Sequence, residues 1–178
     1  YAGPALRFQR YAPGLAQRGA RISVLTQAVT EALIERDGSI AGGDGERRPA
    51  SDFPSFEVVD GLPVHRVTLP TGWRREPAFF RRLADFCEQQ RPPVDVVQLV
   101  NVDLFSAPWL LRLRRRGVRT VFTHTLLGDL SPARWKRALQ RVHRRLPLEL
   151  VDVVVVSSQE MRDRLAELGM ARRVEVIP

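Results

Sequence analysis

The residues best suited to chemistry stand where strand-like runs give way to loops. His124 ends the apolar run "VFTH" within "VFTHTLLGDLSP", with Thr125 directly after it. A histidine at the carboxyl end of a strand is either a working group at the mouth of a site or a packed imidazole. Open α/β sheets bind their ligands at that edge. With an unperturbed pKa of about 6.5, a histidine there is mostly neutral near pH 7 and can hydrogen-bond a hydroxyl or a carbonyl. Asn101 and Asp103 follow a second apolar run, "VDVVQLV". Asn101 is a candidate for hydrogen-bonding a ligand hydroxyl, whereas Asp103 reads more strongly as a helix N-cap. Gly3, Pro4 and Ala5 stand at the start of a helical stretch, where free N–H groups and the helix dipole suit an anion. An ordinary turn explains the same residues, and Pro4 removes one donor. Ser157 and Ser158 fit capping better than ligation.

The remaining reactive side chains read as structural. Cys87 falls on the apolar face of a helix, with Phe79, Leu83 and Phe86. His65 and His143 have no partner at metal-ligand spacing, so no protein-bound metal is expected. No cofactor is expected either.

The elements that must position these residues follow from periodicity and punctuation. A helix interrupted at Pro13 and closed by Gly19 feeds a strand, "ARISVLT", over 20–26. Residues 31–55 are rich in Gly, Asp, Ser and Pro and read as one long surface loop. "FEVVDGLPVHRV" is a hairpin turning at Asp60-Gly61. A helix over 76–90 precedes the run 94–101, whose unbroken apolar character suits a strand buried on both faces. "DLFSAPWLLRLRRRG" is a helix closed by Gly117, and Arg119 to Thr125 form the next strand. Ser131 to Pro147 is a helix with Ser131 as N-cap and Pro132 in its first turn. A buried strand over 151–158, a helix closed by Gly169 and a final strand, "RVEVIP", complete the order. Strands alternating with helices require crossover connections, hence parallel strands in a doubly wound, Rossmann-like α/β sheet with a β-hairpin insertion. No linker divides the chain, which reads as one domain over 1–178.

Composition narrows the partners. The 178 residues are 44% hydrophobic and 27% charged, with a net charge of +8. That composition is globular, and no apolar run approaches the roughly 20 residues that span a bilayer. The single cysteine excludes an internal disulfide and suits a reducing, cytoplasmic setting. Lys136 is the only lysine, so the positive charge is almost all arginine. The 131–147 helix carries Arg134, Lys136, Arg137, Arg141, Arg144 and Arg145 and no acid, beside an apolar stripe of Trp135, Leu139, Val142 and Leu146. It packs that stripe on the sheet, or docks peripherally on anionic lipid.

In order and spacing, "AGPALRFQRYAPGLAQRGARISVLT", "VDGLPVHRV", "VDVVQLVN", "RGVRTVFTHT" and "VDVVVVSSQEMRDRLAELGMARRVEVIP" resemble the N-terminal domain of retaining GT-B glycosyltransferases of family 4. The resemblance implies one half of a GT-B fold, supplying the acceptor side of a cleft. A C-terminal half beyond "VIP" would bind the nucleotide-sugar donor, and residues 1–178 alone would not turn over. In a doubly wound sheet the strand before the first glycine turn is central, so about ten residues are expected upstream of Gly3, or something else fills their place. On that reading Gly3, Pro4 and Ala5 lie near the donor diphosphate, His124 near the transferred sugar, and Asn101 and Thr125 along the acceptor wall. Family members often carry histidines in the strand where this chain has Gln98 and Val100. The acceptor would be a glycan, a lipid-linked sugar or a small molecule.

Three other classes share part of this pattern. A dinucleotide-binding oxidoreductase lacks support, because no G-x-G-x-x-G occurs. A nucleic-acid-binding module needs a basic face with aromatic platforms, and the arginines here are spread over several helices. A GT-B sugar epimerase has the same architecture.

Overall fold

The computed structural model describes residues 11–36, 49–124, 145–167 and 174–177. They belong to two compact units, residues 1–79 and 80–178.

In the first unit, α1 (residues 11–17) ends at Gly19, whose φ of 85° is the left-handed cap conformation. The Gly19 and Ala20 N–H groups donate to the Ala16 and Leu15 carbonyls and close the helix. β1 (Val24–Gln27) pairs in parallel with β3 (Leu62–Val67), and β2 (Phe56–Val59) lies antiparallel on the other side of β3. The hairpin turn is as the sequence implies, since Asp60 and Gly61 both have positive φ, 51° and 79°. That pair of angles matches the twist of the strands it joins. The second hairpin strand is also the middle strand of this sheet, in the order β1-β3-β2.

The long loop over 31–55 requires correction. Glu31–Arg36 form a helix, α2, and Ala50–Asp52 a 3-10 turn. Ile34 is buried, and Glu31 accepts the Ala50 N–H at 2.6 Å. Six residues are under two turns, too few to establish a period, and the Gly-rich run that follows masks them. Residues 37–48 lie outside the described residues.

The second unit contains four parallel strands in sequential order: β4 (Val96–Leu99), β5 (Arg119–His124), β6 (Val153–Val156) and β7 (Val174–Val176). α3 (Arg75–Gln89) precedes β4. α4 (Ala107–Arg115) contacts β5, and α6 (Gln159–Glu167) contacts β6 and β7. Between them, α5 covers residues 145–150 and runs through Pro147, past the end expected for that helix. The fold is therefore mixed α/β and Rossmann-like, with the parallel strands that the crossovers demand.

The buried face of α3 is Phe80, Leu83, Ala84 and Cys87, at i, i+3, i+4 and i+7. Phe79 and Phe86, expected on that face, are only half-buried. The face is rotated by about one residue, because three phenylalanines in a short helix leave its apolar direction ambiguous. β4 is likewise not buried on both faces. Val97 and Leu99 are buried, but Val96 is 53% exposed and Gln98 is exposed. β4 ends the strand order and pairs only with β5 among the described residues. An apolar run cannot report which of its faces is covered.

The amino ends of β4 and β6 share the sequence Val-Asp-Val-Val, at Val94 to Val97 and Val151 to Val154. Both aspartates tie their strand to β5. The Asp95 carbonyl accepts the Arg119 N–H, and the Asp152 N–H donates to the Thr120 carbonyl. The Asp152 carboxylate accepts the Thr120 N–H at 2.7 Å and its hydroxyl at 3.2 Å. Thr120 is 2% exposed, so these donors have no ready substitute in water. Asp152→Ala is expected to cost about 1–3 kcal/mol in urea unfolding, and Asp152→Asn, which keeps one acceptor, clearly less.

Candidate functional site

Parallel pairing brings the carboxyl ends of β4, β5 and β6 to one edge of the second unit. Leu99 pairs with Phe122, and His124 with Val156. Asn101 and His124 each lie two residues beyond the Leu99–Phe122 pair. Ser157 and Ser158 directly follow the partner of His124. Of the expected residues, Asn101 and His124 thus reach one edge by backbone register, with exposed Asn101 just past the end of β4 and His124 as the last residue of β5. Gly3, Pro4, Ala5 and Thr125 lie outside the described residues, as does the basic stretch 131–144.

Neighbouring side chains separate structural from available groups. The Asp103 carboxylate accepts the Ser106 N–H at 3.0 Å, and the buried Ser106 hydroxyl donates back to the Asp103 carbonyl. Asp103 is an N-cap, as its position implied. Pro108 follows in the first turn of α4. The Ser158 hydroxyl accepts the Met161 N–H at 3.3 Å and caps α6, while the Ser157 hydroxyl points at the Met161 sulfur, 3.6 Å away.

One pair near this edge escaped the sequence reading. The Gln98 side-chain amide donates to the Thr123 hydroxyl at 2.7 Å. The pair bridges β4 and β5 one residue before His124. Parallel pairing of the two runs was foreseeable, but not the offset that sets Gln98 opposite Val121 and diagonal to Thr123.

A cluster of charged groups joins α3 and α4. Arg112 grips Glu88 through two bonds of 2.8 Å and reaches Asp85 at 3.0 Å. Arg116 approaches Glu88 at 3.7 Å. The Arg112 hydrogen bonds hold the Glu88 carboxyl below the usual carboxylate range, and the guanidinium is held above its own. A carboxyl lowered in the fold stabilises it above the unfolded pKa, and that contribution is lost as pH falls through the folded value. Glu88→Gln is therefore expected to flatten the acid limb of stability against pH, measured by urea unfolding from about pH 6 to pH 3.

Cys87 shows the reverse sign. Burial, then the charge of Glu88, pushes its thiol up from 9.0 to about 11. A 7%-exposed thiol held protonated is a packing group, as its place on α3 implied. Among the described residues no three His, Cys, Asp or Glu side chains come together as a metal site, and no helix is long and apolar enough to cross a membrane.

A family model described as "Glycosyl transferase 4-like domain" matches residues 2–178. No curated protein matches the chain.

Proposed function

The chain belongs to the glycosyl transferase 4-like family, which assigns it to glycosyl transfer in general, and from that premise we propose that it supplies the acceptor side of the reaction. The donor is a nucleotide-diphosphate sugar, held mainly by residues beyond this chain. The acceptor is a glycan, a lipid-linked sugar or a small molecule, and the sugar keeps its anomeric configuration. The observation that carries this reading is the parallel β4-β5-β6 ladder, which delivers Asn101 and His124 to one carboxyl edge. Loops at that edge are where open α/β sheets bind ligands.

The chemistry assigns a task to each group. Transfer places negative charge on the departing diphosphate and positive character on the sugar ring. N–H groups at Gly3 and Ala5 would meet the first, with Gly3 admitting close approach of phosphate. His124 would hydrogen-bond the sugar being transferred, or the carbonyl that orients it. Asn101 and Thr125 would bind acceptor hydroxyls, using groups that donate and accept. No metal and no cofactor is assigned a part. We place the enzyme in the cytoplasm, with the basic stretch 131–147 able to rest on anionic lipid. Among its described residues, Arg145 is already paired with Glu149 at 2.9 Å.

The test is turnover of the full-length enzyme with a panel of uridine- and guanosine-diphosphate sugars, following nucleotide release and product anomer by NMR. Transfer with retention is expected, with none from residues 1–178 alone. Inversion, or turnover by residues 1–178 unaided, would overturn the proposal.

A further inference from the structure

Trp73 is the most exposed of the large apolar side chains among the described residues, at 72%. It lies in the connection between β3 and α3, within the 3-10 turn Gly72–Arg74. β3 runs parallel to β1, so this connection leaves the carboxyl edge of the first unit's sheet. That edge is where α/β loops carry ligand contacts. The guanidinium carbon of Arg74 stands over the Trp73 ring, 5.2 Å from its centroid. The neighbouring Arg75 is paired with Glu76 at 2.7 Å, whereas among the described residues Arg74 has no carboxylate partner.

We propose that Trp73 and Arg74 form a stacking subsite for a pyranose ring of a carbohydrate acceptor, an inference that rests on the transferase reading above. An indole has two electron-rich faces. Arg74 occupies one and is held there by cation–π attraction. The other face meets solvent and suits the C–H-rich face of a sugar ring. The guanidinium on the first face fixes the orientation of the ring, so the open face is presented with little ordering left to do on binding. A stacked sugar ring needs one flat apolar surface of this kind, held in a fixed orientation. A membrane needs a contiguous apolar face, and residues 68–74 hold no second exposed large apolar side chain.

The experiment titrates the full-length protein with cellotetraose, maltotetraose and chitotetraose, read by saturation-transfer NMR. At least one should bind. Trp73→Ala should raise its Kd about tenfold, and Trp73→Phe, which keeps a ring, about threefold. Arg74→Ala should weaken it too, while UDP affinity stays unchanged. Thermal unfolding checks that these surface variants remain folded. Equal Kd in Trp73→Ala, no binding of any tetrasaccharide, or an equal loss of UDP affinity overturns the subsite. So does a Trp73→Ala defect confined to sedimentation with phosphatidylglycerol vesicles. Sugar transfer by the unsubstituted enzyme is scored separately. Transfer with unaltered glycan binding rejects the stack alone, and absence of transfer rejects the proposed function.

Discussion

His124→Ala in the full-length enzyme is expected to lower transfer on the order of 10²-fold, with unfolding free energy nearly unchanged. One positioned hydrogen-bonding group that meets charge developing in the transition state is worth about that much. The expectation rests on where the backbone stands. β5 lies between β4 and β6, and its last residue is still within the ladder on the β6 side. The ladder reaches His124 itself through its pairing with Val156. Alanine leaves that backbone in place, which separates chemistry from folding. The measurement is kcat and KM for both substrates, beside urea unfolding of the same variant. Full turnover with lost stability would make the imidazole a packing group and return the site to Asn101 and its neighbours.

Phe80→Ala is expected to cost about 3–5 kcal/mol, enough to unfold a large share of a domain whose whole stability is typically about 5–15 kcal/mol. Phe80 is 1% exposed and begins the buried row that continues through Leu83, Ala84 and Cys87. Truncation removes its transfer free energy and leaves a cavity that the surrounding strands and helices fill only in part. Phe79→Ala is the control. The sequence pattern placed that ring in the core, and the structure leaves it half-buried, so its loss should be clearly smaller. The midpoint of urea unfolding for the two variants decides between the faces. Equal losses would mean that the helix presents both rings to the core.

Much of this protein is written in local chemistry. Asp60 and Gly61 announce a turn because few residues tolerate positive φ, and no tertiary contact is needed to read them. Gly19 at φ 85° and Gly117 at φ 79° end helices for the same reason. Asp103 caps its turn through bonds spanning three residues. The alternation of apolar runs with amphipathic helices determines parallel strands, and hence that β4, β5 and β6 end at a common edge. Asn101 and His124 are legible as edge residues on that ground alone.

Other features depend on neighbours distant in sequence. Which faces of "VDVVQLV" are covered depends on strand order, and β4 lies at the end of that order. The offset of a parallel pair is not encoded in either strand, so the Gln98–Thr123 and Asp152–Thr120 bonds appear only when the strands are laid side by side. The short helix α2 is held by burial of Ile34 and by the reach of Glu31 to Ala50, nineteen residues away, not by propensity. Period and punctuation act within a few residues and are therefore visible in the chain. Register, burial and the pairing of charges join residues that only folding brings together.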